Sequence, residues 1–411
     1  MDGEPIPMKI GIVGLGYVGL VTAAVLANQV NEVIGVDIVE DRIEKLNSGI
    51  MPIYEPGLRE RIASAGKNLH FTSNFTDLKQ SDAVFICVPT PNKDSKVDLS
   101  YVLSASKAVS EHGYTGSIII KSTVPPGTAR MVSENTGLNV ISNPEFTREG
   151  SAVYDTEHSD RVIIGGQHTG TTEKIWSFTG APMVVTSNEN AEIIKYASNA
   201  FLATKISFIN QIADLCEKIP GSDVQVVARG MGMDHRIGMD FLKAGLGYGG
   251  SCFPKDTAAI SAFAKERGVN LSIVDDVIAY NESRVENLAG KILMMNGSLK
   301  GKKVCVLGLS FKDNTDDLRE SRALVLVNEL QKNGAIISVY DPVVKNYGGV
   351  DICNTMEECI SSADIVVTAT EWKEFTDIEP GMLANKKIFD LRRVFDNHKV
   401  NVTMGVGIGK N

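Results

Sequence analysis

The run MKIGIVGLGYVGLVTAAVLA, opening at Met8, constrains the fold more than any other stretch of this chain. An apolar strand, a glycine turn and a helix follow one another with no spacer between them. Gly14, Gly16 and Gly19, with Leu15, Tyr17 and Val18 between them, fit the spacing GxGxxG right after the strand. Asp37 follows at the end of a second strand, predicted over Glu32–Ile38. The glycines allow a tight turn and close approach of a pyrophosphate, whose charge the helix N-terminus favours. Asp37 can accept hydrogen bonds from a ribose diol and would repel a 2′-phosphate, so the pattern predicts NAD rather than NADP.

More short apolar runs lie at Ala83–Val88, Ser117–Lys121, Leu138–Ser142 and Arg161–Ile164. Helical stretches separate several of them, the alternation of a largely parallel sheet with crossover helices. From Asn188 to Lys218 no proline or glycine interrupts, and Pro220-Gly221 ends the run. This reads as one helix, a rod of roughly 45 Å at about 1.5 Å per residue. Its apolar residues, among them Ile193, Phe201, Ile206, Phe208 and Ile209, occupy more than one face. Such a helix is expected to be buried on several sides, between domains and against a second subunit.

A second alternating region opens at Lys302, with strands over Val304–Leu307, Ile336–Tyr340, Ile365–Ala369 and Lys387–Phe389. Gly308 stands alone there, so this half lacks a dinucleotide fingerprint of its own. The expected fold is α/β: two doubly wound Rossmann-like domains joined by a central helical domain with one long helix. Boundaries fall at 1–187 for the NAD-binding domain, 188–299 for the central, dimerising domain and 300–411 for the C-terminal domain. The glycine-rich end, Gly405–Asn411, reads as frayed.

Composition narrows the partners. With 411 residues the chain exceeds one ordinary core, and 43% hydrophobic with 22% charged residues is the balance of a soluble globular protein. A net charge of -9 disfavours nucleic acid and anionic membranes. No run of about 18 apolar residues occurs, and MDGEPIP lacks the basic and apolar regions of a secretory signal. Six cysteines without paired spacing or histidine neighbours point to a reducing, cytoplasmic compartment and to no metal site. Cys87 and Cys305 sit in strand-like runs and read as core.

Polar groups recur at strand ends: Thr90 in CVPTP, Thr123 in KSTVPPGT and Glu145 in SNPEFTREG. In open α/β sheets ligands bind beyond the carboxyl ends of strands, so all three are placed toward the cofactor. Lys195 and Asn199, four apart on the long helix, share one face. A desolvated lysine loses proton affinity and can move a proton or stabilise an alkoxide. The stretch Gly247–Asp256, GYGGSCFPKD, sets Cys252 behind a flexible glycine run with Asp256 four residues on. A thiol presented this way can add to a carbonyl carbon.

GLGYVG, STVPPG, NPEFTREG, AEIIKYASNAFLA, GYGGSCFPKD and FKDNTDDLRES occur in order between Met8 and Val394. On these six motifs the chain resembles the nucleotide-sugar 6-dehydrogenases, which oxidise UDP-glucose or GDP-mannose. The RIG and FLKAG elements ahead of Cys252 resemble the branch that takes UDP-glucose. The resemblance implies NAD-dependent four-electron oxidation of that substrate to UDP-glucuronate in a homodimer. It implies Cys252 as nucleophile, with Lys195, Asn199, Asp256, Glu145 and Thr123 as the acid-base and water-positioning set. Around the cofactor it implies Tyr17, Val18, Arg42, Glu149 and Arg319 beside the glycines, Asp37, Thr90 and Thr123. Around the sugar it implies Phe146 and Arg148, then Phe241, Leu242 and Gly249, and then Phe311, Lys312 and Arg392. Arg236 would reach the substrate from a partner subunit. Dehydrogenases of GDP-mannose or UDP-N-acetylmannosamine, a redox-sensing NAD-binding protein and a non-redox isomerase are the alternatives. Thr147, where the family usually has leucine, and Arg322 depart from the pattern, and neither is expected to touch the reactive groups.

Overall fold

Residues 8–29, 32–93, 96–395 and 400–409 are described by a computed structural model of the chain. The opening MDGEPIP and the last two residues lie outside them. The chain divides into two units, residues 1–198 and 199–411.

The first unit is built on eight strands. From one edge to the other they run Met183–Thr186, Val162–Gly165, Val140–Ser142, Ser117–Ile120, Ala83–Ile86, Lys9–Val13, Glu32–Val36 and Leu69–Thr72. All neighbours pair in parallel except Val140–Ser142 with Val162–Gly165. The strands are near-continuous apolar runs because a parallel sheet is covered on both faces. Ile10, Ile12, Phe85 and Ile119 enter one core, and Val13, Val84, Ile86 and Ile120 enter another. The chain reverses direction across the sheet between Lys9–Val13 and Ala83–Ile86. That is the topological switch point, where an open α/β sheet leaves a crevice at its carboxyl edge.

The long helix is one element, Asn188–Cys216. Ile209 is fully buried, but Ile193, Phe201 and Phe208 stay exposed on the single chain. The burial on several sides expected of it is therefore incomplete within the described chain.

The second unit adds the helices Val224–Gly232, Phe253–Lys265 and Ser272–Asn296 to a six-stranded parallel sheet. Its strands run Asp351–Ile352, Ile336–Tyr340, Lys303–Leu307, Ile365–Thr368, Lys387–Asp390 and Met404–Gly405. Ile209, Leu288, Ile292, Val306, Leu326 and Val367 share one core, so helices and sheet fold on a common apolar centre.

The two sheets repeat a detail at their switch points. Gly14 N–H donates to Val36 and Gly308 N–H to Tyr340, each at 2.8 Å. Leu15 N–H donates to Asp37 and Leu309 N–H to Asp341, again at 2.8 Å. The copies differ in what the acid has left to offer. Asp341 is fully buried and also accepts from Ser310, Val343 and Val344. Its carboxylate is consumed inside the fold, which agrees with the missing fingerprint.

The C-terminal end corrects the expectation of fraying. Met404–Gly405 pairs in parallel with Lys387–Asp390, Val406 is fully buried, and Gly407 N–H donates to Glu217 at 3.0 Å. A Cβ at Gly409 would run into the carbonyl oxygen of Ile219. Glycine is used here for close approach rather than for looseness.

Candidate active site

Gly14 has φ +91°, a left-handed conformation that a Cβ would strain, and that Cβ would lie 2.8 Å from the Cys87 carbonyl oxygen. At Gly19 a Cβ would collide with the Gly14 carbonyl, so the helix Tyr17–Ala27 can lie tight against the turn only because this residue is glycine. Gly16 differs: a Cβ there would meet nothing within 4 Å. Open space in front of a helix N-terminus whose cap residue has no side chain fits a dinucleotide pyrophosphate.

Asp37 is buried and accepts from Leu15 N–H, Val39 N–H and Arg42 Nη1, the last at 2.6 Å. Arg42 thus sits where the cofactor residues were expected, with its charge on Asp37. Tyr17 gives its hydroxyl to Glu55, a residue the sequence did not single out, and burial pushes that phenol far above its ordinary pKa. Glu55 also accepts from Gly150 and Ala152 N–H at 2.7 Å, so it fastens the loop that carries Glu149. Val18 packs on the core beside Tyr17. Thr90 is buried beyond the strand Ala83–Ile86.

Beyond the strands Ser117–Ile120 and Val140–Ser142, Thr123 and Lys195 line one small recess with Ser122, Ser142, Pro144 and Glu192. Lys195 Nζ lies 2.8 Å from Glu145 Oε1, and both side chains are buried. The other oxygen, Oε2, accepts from Thr147 N–H and from its hydroxyl, each at 2.7 Å. Burial alone would raise the Glu145 pKa, but the Lys195 ammonium and the Thr147 donors outweigh it and hold the group at about 2. Glu145 is therefore a fixed carboxylate at neutral pH. The Thr147 contact corrects the expectation that this departure lies away from the reactive groups. Phe146 lies 5.3 Å below Lys195 Nζ and 3.9 Å from the Arg161 guanidinium, a cation–π pair on each count.

In the second unit the glycine run is held from behind. Asn281 accepts from Tyr248 N–H at 2.8 Å and donates to its carbonyl at 3.0 Å. Arg322 Nε donates to the same carbonyl at 2.9 Å, so the second departure supports the glycine run from behind without touching the reactive groups. Gly250 has φ +79°, and a Cβ there would lie 2.7 Å from the Phe311 ring. At Gly249 it would strike the Glu320 carbonyl. FKDNTDDLRES is thereby laid against the cysteine loop, and Gly250 N–H donates to the Arg319 carbonyl at 3.1 Å.

Cys252 is half-buried and caps the helix Phe253–Lys265, with Ser251 Oγ 3.6 Å from its sulfur. Asp256, one turn on, is buried between Asn199 Nδ2 and Lys255 Nζ, each at 2.6 Å. Phe241, in a left-handed conformation with φ 64°, brings its ring within 6.1 Å of Phe253, and Leu242 is buried beside it in sequence. Lys312 lies over the Phe311 ring at 5.6 Å. Arg392 Nε donates to the Ala369 carbonyl, and burial lowers its pKa against the pull of Glu371 and Asp313.

Three arginines are not gathered into these clusters. Arg148 pairs with Asp155, Arg236 with Asp234 and Arg319 with Asp317, with closest contacts of 2.6–2.7 Å on largely exposed side chains. A fork two to seven residues from a carboxylate closes on it before reaching anything remote. Besides Glu55 and Thr147, the sequence also missed Lys121, buried over Trp176 at 4.4 Å with its pKa lowered by burial to about 8, and Glu192. Glu192 lies three residues before Lys195, a spacing that could have marked it.

A largely parallel sheet with an open glycine turn at its switch point and an acid just past the second strand defines a dinucleotide-binding domain. Three successive segments match the UDP-glucose/GDP-mannose dehydrogenase family: its NAD binding domain over residues 8–178, its central domain over 189–283 and its UDP binding domain over 305–397. The chain belongs to this family. It is 40% identical to the UDP-glucose 6-dehydrogenase TuaD of Bacillus subtilis (strain 168) over 94% of this chain and 89% of that one. The UDP-glucose 6-dehydrogenase of Rhizobium meliloti (strain 1021) is 41% identical over 96% and 97%. Among solved structures, a UDP-glucose dehydrogenase from the hyperthermophilic archaeon Pyrobaculum islandicum superposes with TM-score 0.93 at 35% identity, covering 99% of both chains. No helix among the described residues is long and apolar enough to cross a membrane.

Proposed function

We propose that this chain oxidises UDP-glucose to UDP-glucuronate, removing four electrons from C6 with two NAD+ and one water. The observation that carries the proposal is the presentation of Cys252: half-buried at a helix start, behind glycines whose Cβ positions are filled by neighbouring atoms, with a buried carboxylate one turn away. Bound NAD+ supplies the hydride acceptor for each oxidation.

The residues of the chain do the remaining work. In the first oxidation the C6 alcohol gives its hydride to NAD+ and its hydroxyl proton to water, while Lys195, fixed by Glu145, steadies the developing alkoxide. The aldehyde so formed has no hydroxyl hydrogen and carbinol C–H pair to lose. Addition of the Cys252 thiol across the carbonyl restores one as a thiohemiacetal, and the second hydride loss leaves a thioester. Water then adds to the thioester carbonyl, the C–S bond breaks, and the thiol returns with release of the acid. Asn199 and Asp256 orient that water, while Glu145, ionised throughout, positions rather than stores protons. Thr123 faces the same recess as Lys195.

Gly14, Gly16, Gly19 and Asp37 hold the dinucleotide, with Thr90, Arg42 and Glu149 at its margin. Phe311, Lys312 and Arg392 receive the nucleotide sugar, joined by Phe241, Leu242 and Gly249. Arg236, exposed on its own chain, serves a partner's site in a homodimer. Six cysteines without a disulfide among the described residues fit a reducing cytoplasm. Domain limits at 187/188 and 299/300 belong to the same proposal. The test is initial NADH production with UDP-glucose beside GDP-mannose and UDP-N-acetylmannosamine. A kcat/KM for UDP-glucose at least about tenfold above either rival supports the reading, one such ratio being about 1.4 kcal/mol of discrimination. Preference for another sugar, or no NADH from any of them, overturns it.

A further inference from the structure

We infer that Glu192 is a positioning residue, whose carboxylate anchors the segment Ser122–Ala129 to the long helix and so sets Thr123 against Lys195. The inference rests on the dehydrogenase reading above. Glu192 is 3% exposed. Its Oε2 accepts from Gly127 N–H at 2.6 Å, and its Oε1 accepts from Ala129 N–H at 2.8 Å and Ser142 Oγ at 3.3 Å. Both backbone donors belong to the start of the helix Thr128–Thr136, whose cap residue, Gly127, has no side chain to offer. A carboxylate more than sixty residues away in sequence therefore does what a local cap does elsewhere.

The geometry around Thr123 gives this cap its consequence. On one side of Thr123, Ser122 Oγ donates to the Val88 carbonyl at 2.7 Å. On the other side Val124 is buried in the core, the Pro125 carbonyl accepts from Thr128, and Gly127 is held by Glu192. Lys195 stands one turn along from Glu192 and holds Glu145 at 2.8 Å. One turn earlier, Asn188 accepts from Ser142 N–H at 2.8 Å and donates to the Val140 carbonyl at 3.0 Å. Two turns of one helix thus hold the end of the strand that delivers Glu145 and the helix start that follows Thr123. Both Glu192 oxygens are spent on this anchoring, so it acts on the reaction through Thr123. Burial pushes its pKa up to about 7, against three donors that favour the carboxylate.

The test is a double-mutant cycle on the full chain: wild type, Glu192→Ala, Thr123→Ala and both together, with Glu192→Gln alongside. Misplacement of a reacting group by about an ångström costs up to roughly a hundredfold in rate. Glu192→Ala is expected to lower kcat about 10- to 100-fold while both KM values stay within about threefold. Glu192→Gln keeps an acceptor for Ala129 but turns an NH2 toward Gly127 N–H, so it should recover part of the loss. In the Thr123→Ala background, Glu192→Ala should add less than about threefold, because the two changes share one effect. Fully additive losses, or normal kcat in folded Glu192→Ala, overturn the inference. Amide hydrogen exchange supplies a readout that does not need turnover. Faster exchange confined to residues 122–131 is expected in both Glu192 variants, and unchanged protection there refutes the anchoring. Wild-type protein inactive on UDP-glucose would count against the dehydrogenase reading, while the exchange result would still decide the anchor.

Discussion

Replacing Glu145 by glutamine tests the electrostatics of the candidate site at a buried ion pair. The change keeps shape and leaves the Lys195 ammonium with a neutral partner. Lowering the carboxyl from its ordinary 4.5 to about 2 corresponds to about 3 kcal/mol of stability at neutral pH. Removing one partner of a buried ion pair costs about 3–5 kcal/mol by independent reckoning, so the two scales agree. Because the folded pKa is the lower one, the contribution is complete above about pH 4.5 and is lost as pH falls through 2. The difference between wild type and Glu145→Gln should shrink from about 3 kcal/mol at pH 7 to roughly 1 kcal/mol at pH 3. Urea unfolding followed by Trp176, buried in the first unit, reads this directly if Trp372 is first replaced by phenylalanine. A loss below about 1 kcal/mol at pH 7, or a loss that does not change with pH, would refute the argument.

Three further outcomes follow from the same geometry. Asp37 should make kcat/KM for NAD+ exceed that for NADP+ by roughly 10- to 1000-fold, since like charges near 4 Å cost about 1–4 kcal/mol; Asp37→Ser should narrow the ratio, and equal values in wild type would place Asp37 away from the ribose. Cys252→Ala should lower acid formation by several orders of magnitude with UDP-glucose binding little changed, measured by coupled assay and calorimetry; near-normal turnover would make Cys252 a packing residue. Gly250→Ala combines φ +79° with a Cβ pressed on Phe311, so it should cost about 1–3 kcal/mol in thermal unfolding of the second unit; an unshifted transition would show that the loop does not need this contact.

Much of this was legible in the chain because some residues admit few alternatives. Gly14, Gly16 and Gly19 before a helix, with Asp37 one strand later, allow little except a dinucleotide turn, and each lies where the spacing put it. The long helix was legible because nothing between Asn188 and Cys216 can break it. Other features hid for stated reasons. Gly405, Gly407 and Gly409 look like a loose tail, yet each marks a close approach that only the folded neighbours reveal. Glu192 and Glu55 serve backbone donors far away in sequence, a debt that periodicity does not record. Thr147 and Arg322 were set aside as departures from a pattern, although hydrogen bonding makes them part of the site's support. Arg148, Arg236 and Arg319 each pair with a nearby carboxylate on the single chain, a local contact that motif logic does not record.

The central claim is that one carbon is oxidised twice with the aldehyde held on Cys252 between the two steps. Counting NADH formed per UDP-glucose consumed, with the sugar product identified by mass, tests it directly. The account predicts two NADH and one UDP-sugar acid per substrate, with no free aldehyde trapped by a hydrazine. One NADH per substrate, with aldehyde accumulating in solution, would contradict it.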